Sequence, residues 1–358
     1  MASPTPIPII DGHNDTVLDL VLSRGTEKQR SFFVESERGQ LDLPRARKGN
    51  LGGGFFAIFT PDSIISKGPA GFEITVTETA EERPAWACSA DHLNAQWFTM
   101  AMAATLFKLE AESNGQFKVV RTAPEMASAL EQGVFAAIFH IEGAEVIDTN
   151  LDALYVLYEA GLRSLGIVWS RSNAFGHGVP FGLGSPDTGP GLTEAGKALV
   201  KACNELGILI DLSHLNEKGF WDVAEQSTAP LVATHSGVFA ISPVTRNLTD
   251  EQLNAIRQSN GIVGINFHVG FLRPDGQMDA DTPLSLMVDH VDYIVEKIGI
   301  DHVAFGSDFD GATMPRELGT AAGLPKLMDS LASRGYDDSA LRKIAYQNWL
   351  RILEKTWK

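Results

Sequence analysis

The stretch Pro8-Ile9-Ile10-Asp11-Gly12-His13-Asn14-Asp15 sets the reading of the whole chain. Apolar residues run into an Asp-Gly break, and a histidine and a carboxylate follow two positions apart. In an extended chain side chains alternate between faces, so His13 and Asp15 are expected to point the same way at the end of a buried strand. An imidazole nitrogen and a carboxylate oxygen aimed at one point make half of a zinc-type coordination shell. His-x-Asp alone is a weak motif that a polar turn explains equally well, so the rest of the chain must supply further ligands.

Seven more apolar runs follow. They are residues 55–60, 134–139, 162–169, 208–212, 230–234, 262–267 and 302–306. Helical patterns separate most of them: residues 17–22, 91–113, a helix opened by Thr122 and Glu125 in capping-box spacing, 151–160, 193–206, one capped by Thr249 and Gln252, and 284–298. An amphipathic helix over 339–357 closes the chain. Residues 61–90 read as loop, with an acidic cluster at Glu78, Glu81 and Glu82, and residues 171–191 form a Gly-rich loop. Runs that are apolar throughout fit a parallel sheet covered on both faces. Eight of them without a compositional break predict one α/β domain over residues 1–358, a (β/α)8 TIM-type barrel. A doubly wound open sheet is the runner-up, and the charged crossing 23–51 fits a barrel least well.

The chain of 358 residues carries a net charge of −16, which argues against nucleic acid and against an anionic membrane surface as partners. Two cysteines, Cys88 and Cys203, are too few for a disulfide framework. The first residues lack a signal-peptide pattern and no run is long enough to span a membrane, so a cytoplasmic protein with no membrane anchor is expected.

In a barrel of this kind the active site lies at the C-terminal ends of the strands. Those ends carry His13 and Asp15 (first run), Glu142 (third), His214 (fifth), His235 (sixth) and Asp308 (eighth). Any one of them could cap a helix or polish a turn. Together, imidazoles and carboxylates gathered at one rim call for a cation. Three carboxylates exceed the needs of one zinc, and two ions divide the set naturally: His13 and Asp15 on one, His214 and His235 on the other, Glu142 between them. Asp308 is then free for proton transfer. Of the other histidines, His290 is expected to be solvated, His302 lies at the wrong end of its strand, His92 opens a helix, and His140 sits near Glu142 as a supporting partner. His177 and His268 are placed to reach a substrate.

At these residues the chain resembles the membrane (renal) dipeptidase family of the amidohydrolase superfamily. The matching segments are Asp11-Gly12-His13-Asn14-Asp15, Ile141-Glu142-Gly143, Asp211-Leu212-Ser213-His214, Thr234-His235-Ser236, Arg246-Asn247 and residues 306–311. The resemblance spans essentially the whole chain. It implies a binuclear zinc dipeptidase with two Zn2+ per chain, acting on dipeptides including L-Xaa-D-Xaa by attack of a metal-bridging hydroxide. It implies the same ligand division, Asp308 as proton shuttle, Arg246 on the substrate carboxylate, and a homodimer. Manganese and cobalt share these ligand preferences. Two family contacts differ: Trp169 stands where mammalian members carry a histidine, and Phe271 where a tyrosine is found. They point to retained hydrolysis with an altered side-chain preference. Lactone or other amide hydrolysis in the same metal site is the alternative, followed by an inactive, metal-stabilised homologue. A purine-type deaminase fits less well, since such sites open with His-x-His.

Overall fold

The computed structural model describes residues 6–61, 64–66, 72–74 and 92–358. The acidic cluster at Glu78, Glu81 and Glu82, and Cys88, lie outside these. Eight parallel strands close into a barrel: β1 (Ile9–Asn14), β2 (Leu51–Phe59), β3 (Phe135–Glu142), β4 (Leu162–Gly166), β5 (Leu209–Asp211), β6 (Val232–Ser236), β7 (Ile262–Ile265) and β8 (Val303–Phe305). Each pairs with the next, and β8 pairs back onto β1 through Asp11 and Phe305. The closed parallel barrel excludes the open doubly wound sheet.

Several elements escape the apolar-run reading. A short strand, Phe117–Val119, pairs with the first half of β3 below β4. Helices Glu217–Gln226 and Leu324–Arg334 fill the β5–β6 and post-β8 connections. The crossing 23–51 contains the helix Leu43–Lys48, which Asp42 caps by accepting from Arg45 N. At Ala123–Gln132 the expected capping box is only half formed: Thr122 accepts from Glu125 N, but the Glu125 carboxylate accepts from Arg121 N, outside the cap. At Asp250–Gln258 both halves of the box are made.

The C-terminal segment, helices Asp338–Arg342 and Asn348–Thr356 joined by a π-turn, plugs the N-terminal mouth of the barrel. Trp349 is fully buried there, its ring 4.9 Å from that of Phe55, and its Nε1 donates to Phe305 O at 3.0 Å. Ile10, Ile138, Leu209, Val232 and Ile262 complete this floor cluster. Directly above, a Cβ on Gly12 would lie 2.6 Å from Trp349 and 2.3 Å from Thr234 O, and Cβ atoms on Gly264 and Gly306 would meet the same carbonyl at 2.0 and 1.9 Å. Glycines in β1, in β7 and just past β8 therefore let β6 crowd inward just below the C-terminal rim. Among the described residues no helix is long and apolar enough to cross a membrane.

Candidate metal centre and cleft

The polar residues predicted at the strand ends gather at one place. His13 lies in β1 and Glu142 ends β3; His235 lies in β6; His214 and Asp308 stand three residues beyond β5 and β8. Both of the last two adopt left-handed backbone, φ 68° and 65°, a conformation uncommon for non-glycine residues and concentrated at functional sites. The expected alternation of His13 and Asp15 is not how the two meet. The β1–β2 register shifts between Asp11 and Asn14, and Asp15 (φ −102°, ψ 20°) is already the cap of helix Thr16–Ser23. The turn, not the pleat, brings Asp15 Oδ2 to 3.6 Å from His13 Nε2.

Glu142 occupies the centre. Its Oε2 is 3.7 Å from His13 Nε2, and its Oε1 is 2.9 Å from His214 Nε2 and 3.4 Å from His235 Nε2. The sets His13–Asp15–Glu142 and Glu142–His214–His235 each offer three ligand atoms within 4.8 Å of one another, all buried. Both ring nitrogens of His13 are buried without a hydrogen-bond partner among the described residues. Such a group is costly unless something else binds it. Burial disfavours the His13 imidazolium, yet Glu142, Asp15 and Asp308 outweigh it and push His13 up to about 10. Burial pushes Glu142 up to about 8 against the pull of His13. The cluster thus draws positive charge to itself, and the donor set of imidazoles and carboxylates suits zinc or a similar divalent ion.

Supporting groups fix these side chains. Thr234 Oγ1 donates to Asp211 Oδ2 at 2.6 Å and stands 2.8 Å from His235 Nδ1. With its proton committed to Asp211, the hydroxyl accepts from Nδ1–H, which leaves the Nε2 lone pair facing Glu142. Ser170 Oγ lies 2.7 Å from His214 Nδ1. Asp11, pushed up to about 6 by burial, accepts from Ser307 N and Oγ and so ties β1 to the segment that carries Asp308. His140, held down at about 3 by burial, packs edge-on to His13 at 5.5 Å with Nδ1 on Ser164 Oγ, a supporting position as expected.

Asp308 Oδ2 accepts from Asn266 Nδ2 at 2.9 Å, while its N donates to His13 O. A Cβ on Gly311 would fall 2.0 Å from Asp15 Oδ2 and 2.8 Å from Asp308 Oδ1, so a side chain there would have to displace these carboxylates. Above the cluster opens a cleft of about 750 Å³ whose wall includes Asp15, Glu142, His214, Asp308, His268, Trp169 and Phe271. Arg246 lies buried behind this wall. Its Nη2 donates to His235 O at 3.0 Å and its Nη1 to Ser236 Oγ at 3.4 Å; Nε has no hydrogen-bond partner among the described residues. Burial lowers it only to about 10, so it stays cationic at neutral pH.

Two histidine expectations need correction or narrowing. His290 is not solvated: it is fully buried, its Nδ1 accepting from Val238 N and its Nε2 facing Leu272 O at 3.1 Å. A position off the apolar stripe of its helix is covered by the loop after β6 and by the short helix Val269–Leu272 after β7, which the helical pattern alone does not reveal. His177 does not line the cleft; its Nδ1 is bound to Ser172 Oγ. Sequence reasoning passed over Phe59, Phe181, Asn266 and Asp310. Asp310 accepts from Thr16, Arg30 and Gln40 and pins the 23–51 crossing against the cleft. Its place in the Asp308-Phe309-Asp310 run was the signal.

The model of the family described as membrane dipeptidase (Peptidase family M19) matches residues 4–358. The chain belongs to that family. It is a metallopeptidase family, in keeping with the buried ligand groups. A metallo peptidase from Rhodobacter sphaeroides, solved with a phosphinate mimic of the dipeptide L-Ala-D-Ala, is 45% identical with a TM-score of 0.89, covering 98% of this chain and 99% of its own. The metallo peptidase dipeptidase AC is likewise 45% identical, with a TM-score of 0.88 and the same coverage. An uncharacterized protein in the pqqA 5′ region of Klebsiella pneumoniae is 49% identical over 269 residues, 75% of this chain and 98% of its own length. This member of the membrane dipeptidase family therefore matches solved metallopeptidases along nearly its full length.

Proposed function

We propose that the protein is a binuclear zinc dipeptidase that hydrolyses dipeptides, including L-Xaa-D-Xaa. The observation that carries this reading is the pair of buried three-ligand sets sharing Glu142. His13 and Asp15 would hold one ion, His214 and His235 the other, with Glu142 between them. Divalent ions bound there supply Lewis acidity, which polarises a peptide carbonyl and lowers the pKa of a water. Asp308 faces the cleft beside these ligands, held by Asn266 at one oxygen. It takes the proton from the attacking water and delivers it to the amine nitrogen as the C–N bond breaks. Arg246 holds the substrate carboxylate through a guanidinium fork, which restricts turnover to peptides ending one residue past the scissile bond. The mimic of L-Ala-D-Ala bound by the Rhodobacter sphaeroides relative supports both the dipeptide class and tolerance of a D-residue.

The test is amino-acid release from matched L-Xaa-L-Xaa and L-Xaa-D-Xaa panels, together with metal content per chain. Turnover with about two zinc ions per chain, abolished by a chelator, is the expected result. A chain that binds its metals but turns over lactones or other amides and no dipeptide overturns the reading.

A further inference from the structure

The cleft is lined by two unlike sets of groups. The carboxylates in its lining are Asp15, Asp19, Glu142, Asp308 and Asp310. Its rings form a continuous arc: Phe59 to Trp169 at 5.0 Å, Trp169 to Phe181 at 5.4 Å, and Phe181 stacked on Phe271 at 6.0 Å and 21°. At one end the Arg246 guanidinium lies over Phe271, 5.3 Å from its centroid. Near the middle, Trp169 is 5.9 Å from the His214 ring. The arc therefore starts where the substrate carboxylate is proposed to sit and passes beside the reacting centre.

A brace holds the far end. The Arg171 guanidinium sits 5.3 Å from the Phe59 centroid and 5.5 Å from that of Trp169. It is clamped by Glu145 at 2.9 Å and donates to Thr60 O at 2.5 Å, with both Arg171 and Glu145 buried. Aromatic faces fixed in this way offer apolar area with little side-chain freedom left to lose on binding. A charged or small polar side chain gains nothing from such a wall.

We propose that Phe59, Trp169, Phe181 and Phe271 form the subsite for the side chain of the C-terminal residue, and that they select bulky apolar residues there. Arg171 acts as a positioning residue for the Phe59–Trp169 edge. The inference rests on the dipeptidase reading, because Arg246 must hold the carboxylate for the arc to meet that side chain.

The experiment compares binding by calorimetry of two non-hydrolysable phosphinate dipeptide mimics, one with methyl and one with benzyl at the C-terminal position, to the metal-loaded enzyme. A third mimic carries the benzyl group at the N-terminal position. The expected result is C-terminal benzyl bound roughly ten- to a hundredfold tighter than methyl, from burial of one aromatic side chain. In Trp169→Ala, and independently in Phe181→Ala at its half-buried position, that ratio should fall to a few-fold. A parent ratio near one, a ratio unchanged in both variants, or a preference that follows the N-terminal side chain overturns the subsite. Because the readout is binding, failure of dipeptide turnover with the ratio intact would count against the hydrolytic reading and leave the subsite standing.

Discussion

Replacing Arg246 with alanine is expected to weaken substrate binding strongly and leave the metals in place. The guanidinium is buried, with Nε unpartnered among the described residues and only His235 O and Ser236 Oγ as hydrogen-bond acceptors. Truncating one member of a buried, hydrogen-bonded charge pair costs about 2–5 kcal/mol. Arg246 stands behind the cleft wall and is not among its lining residues, so its contact with the substrate is partial, which favours the lower end of that range. At 1.36 kcal/mol per tenfold, the loss corresponds to a rise in KM of roughly 30- to 300-fold. The informative assay is KM and kcat for L-Ala-D-Ala beside its C-terminal amide, with zinc content measured on the same samples. The parent should discriminate sharply against the amide, and Arg246→Ala should lose that discrimination. A KM change below about threefold, or retained acid-over-amide preference, would refute the carboxylate role.

Asp308→Asn should retain both ions and lose about 10²- to 10⁴-fold in kcat, as expected for removal of a proton-transfer group, and near-parental turnover would reject the assignment. Thr234→Val breaks the link between Asp211 and His235 Nδ1, and metal affinity measured by chelator competition should drop about 10- to 100-fold; unchanged affinity would show that the hydroxyl does not set the ring. His290 is pushed down to about 4 by burial from its ordinary 6.5, so the unfolded chain binds the extra proton between those values. Its contribution is fully present above pH 6.5 and fades as the pH falls towards 4, by about 3 kcal/mol in all. Denaturant titrations of His290→Gln should show a shallower loss over that window than the parent; equal slopes would contradict the linkage.

The barrel and the cluster of histidines and carboxylates at its rim were legible for the same physical reason. Strands buried on both faces must be apolar along their length, so a polar residue at the end of such a run stands out, as His13, Glu142 and Asp308 do. Phe181 and the Arg171–Glu145 brace were not legible, because aromatic and charged residues outside strands and long helices have no period, and Phe59, at the end of β2, read only as one more apolar strand residue. The helix Glu217–Gln226 was missed because its buried face rests on only Gly219, Phe220 and Val223. His13 and Asp15 were paired correctly for an incomplete reason, since the turn at Asp15 does what alternation was expected to do. His290 shows the opposite case, in which a helical wheel cannot see the loops that cover its polar side.

The Trp349 plug sets an order of events during synthesis. Every residue of the metal cluster precedes it in the chain, and Gly12, next to His13, closes directly onto its ring. A nascent chain can therefore gather all its ligands before it has a floor to hold β1 and β6 at their final separation. Metal capture with full affinity is expected only once the segment that carries Trp349 has been made and has docked. A chain ended at residue 342 should accordingly bind zinc far more weakly than the 358-residue chain and regain affinity when residues 343–358 are added as a separate peptide.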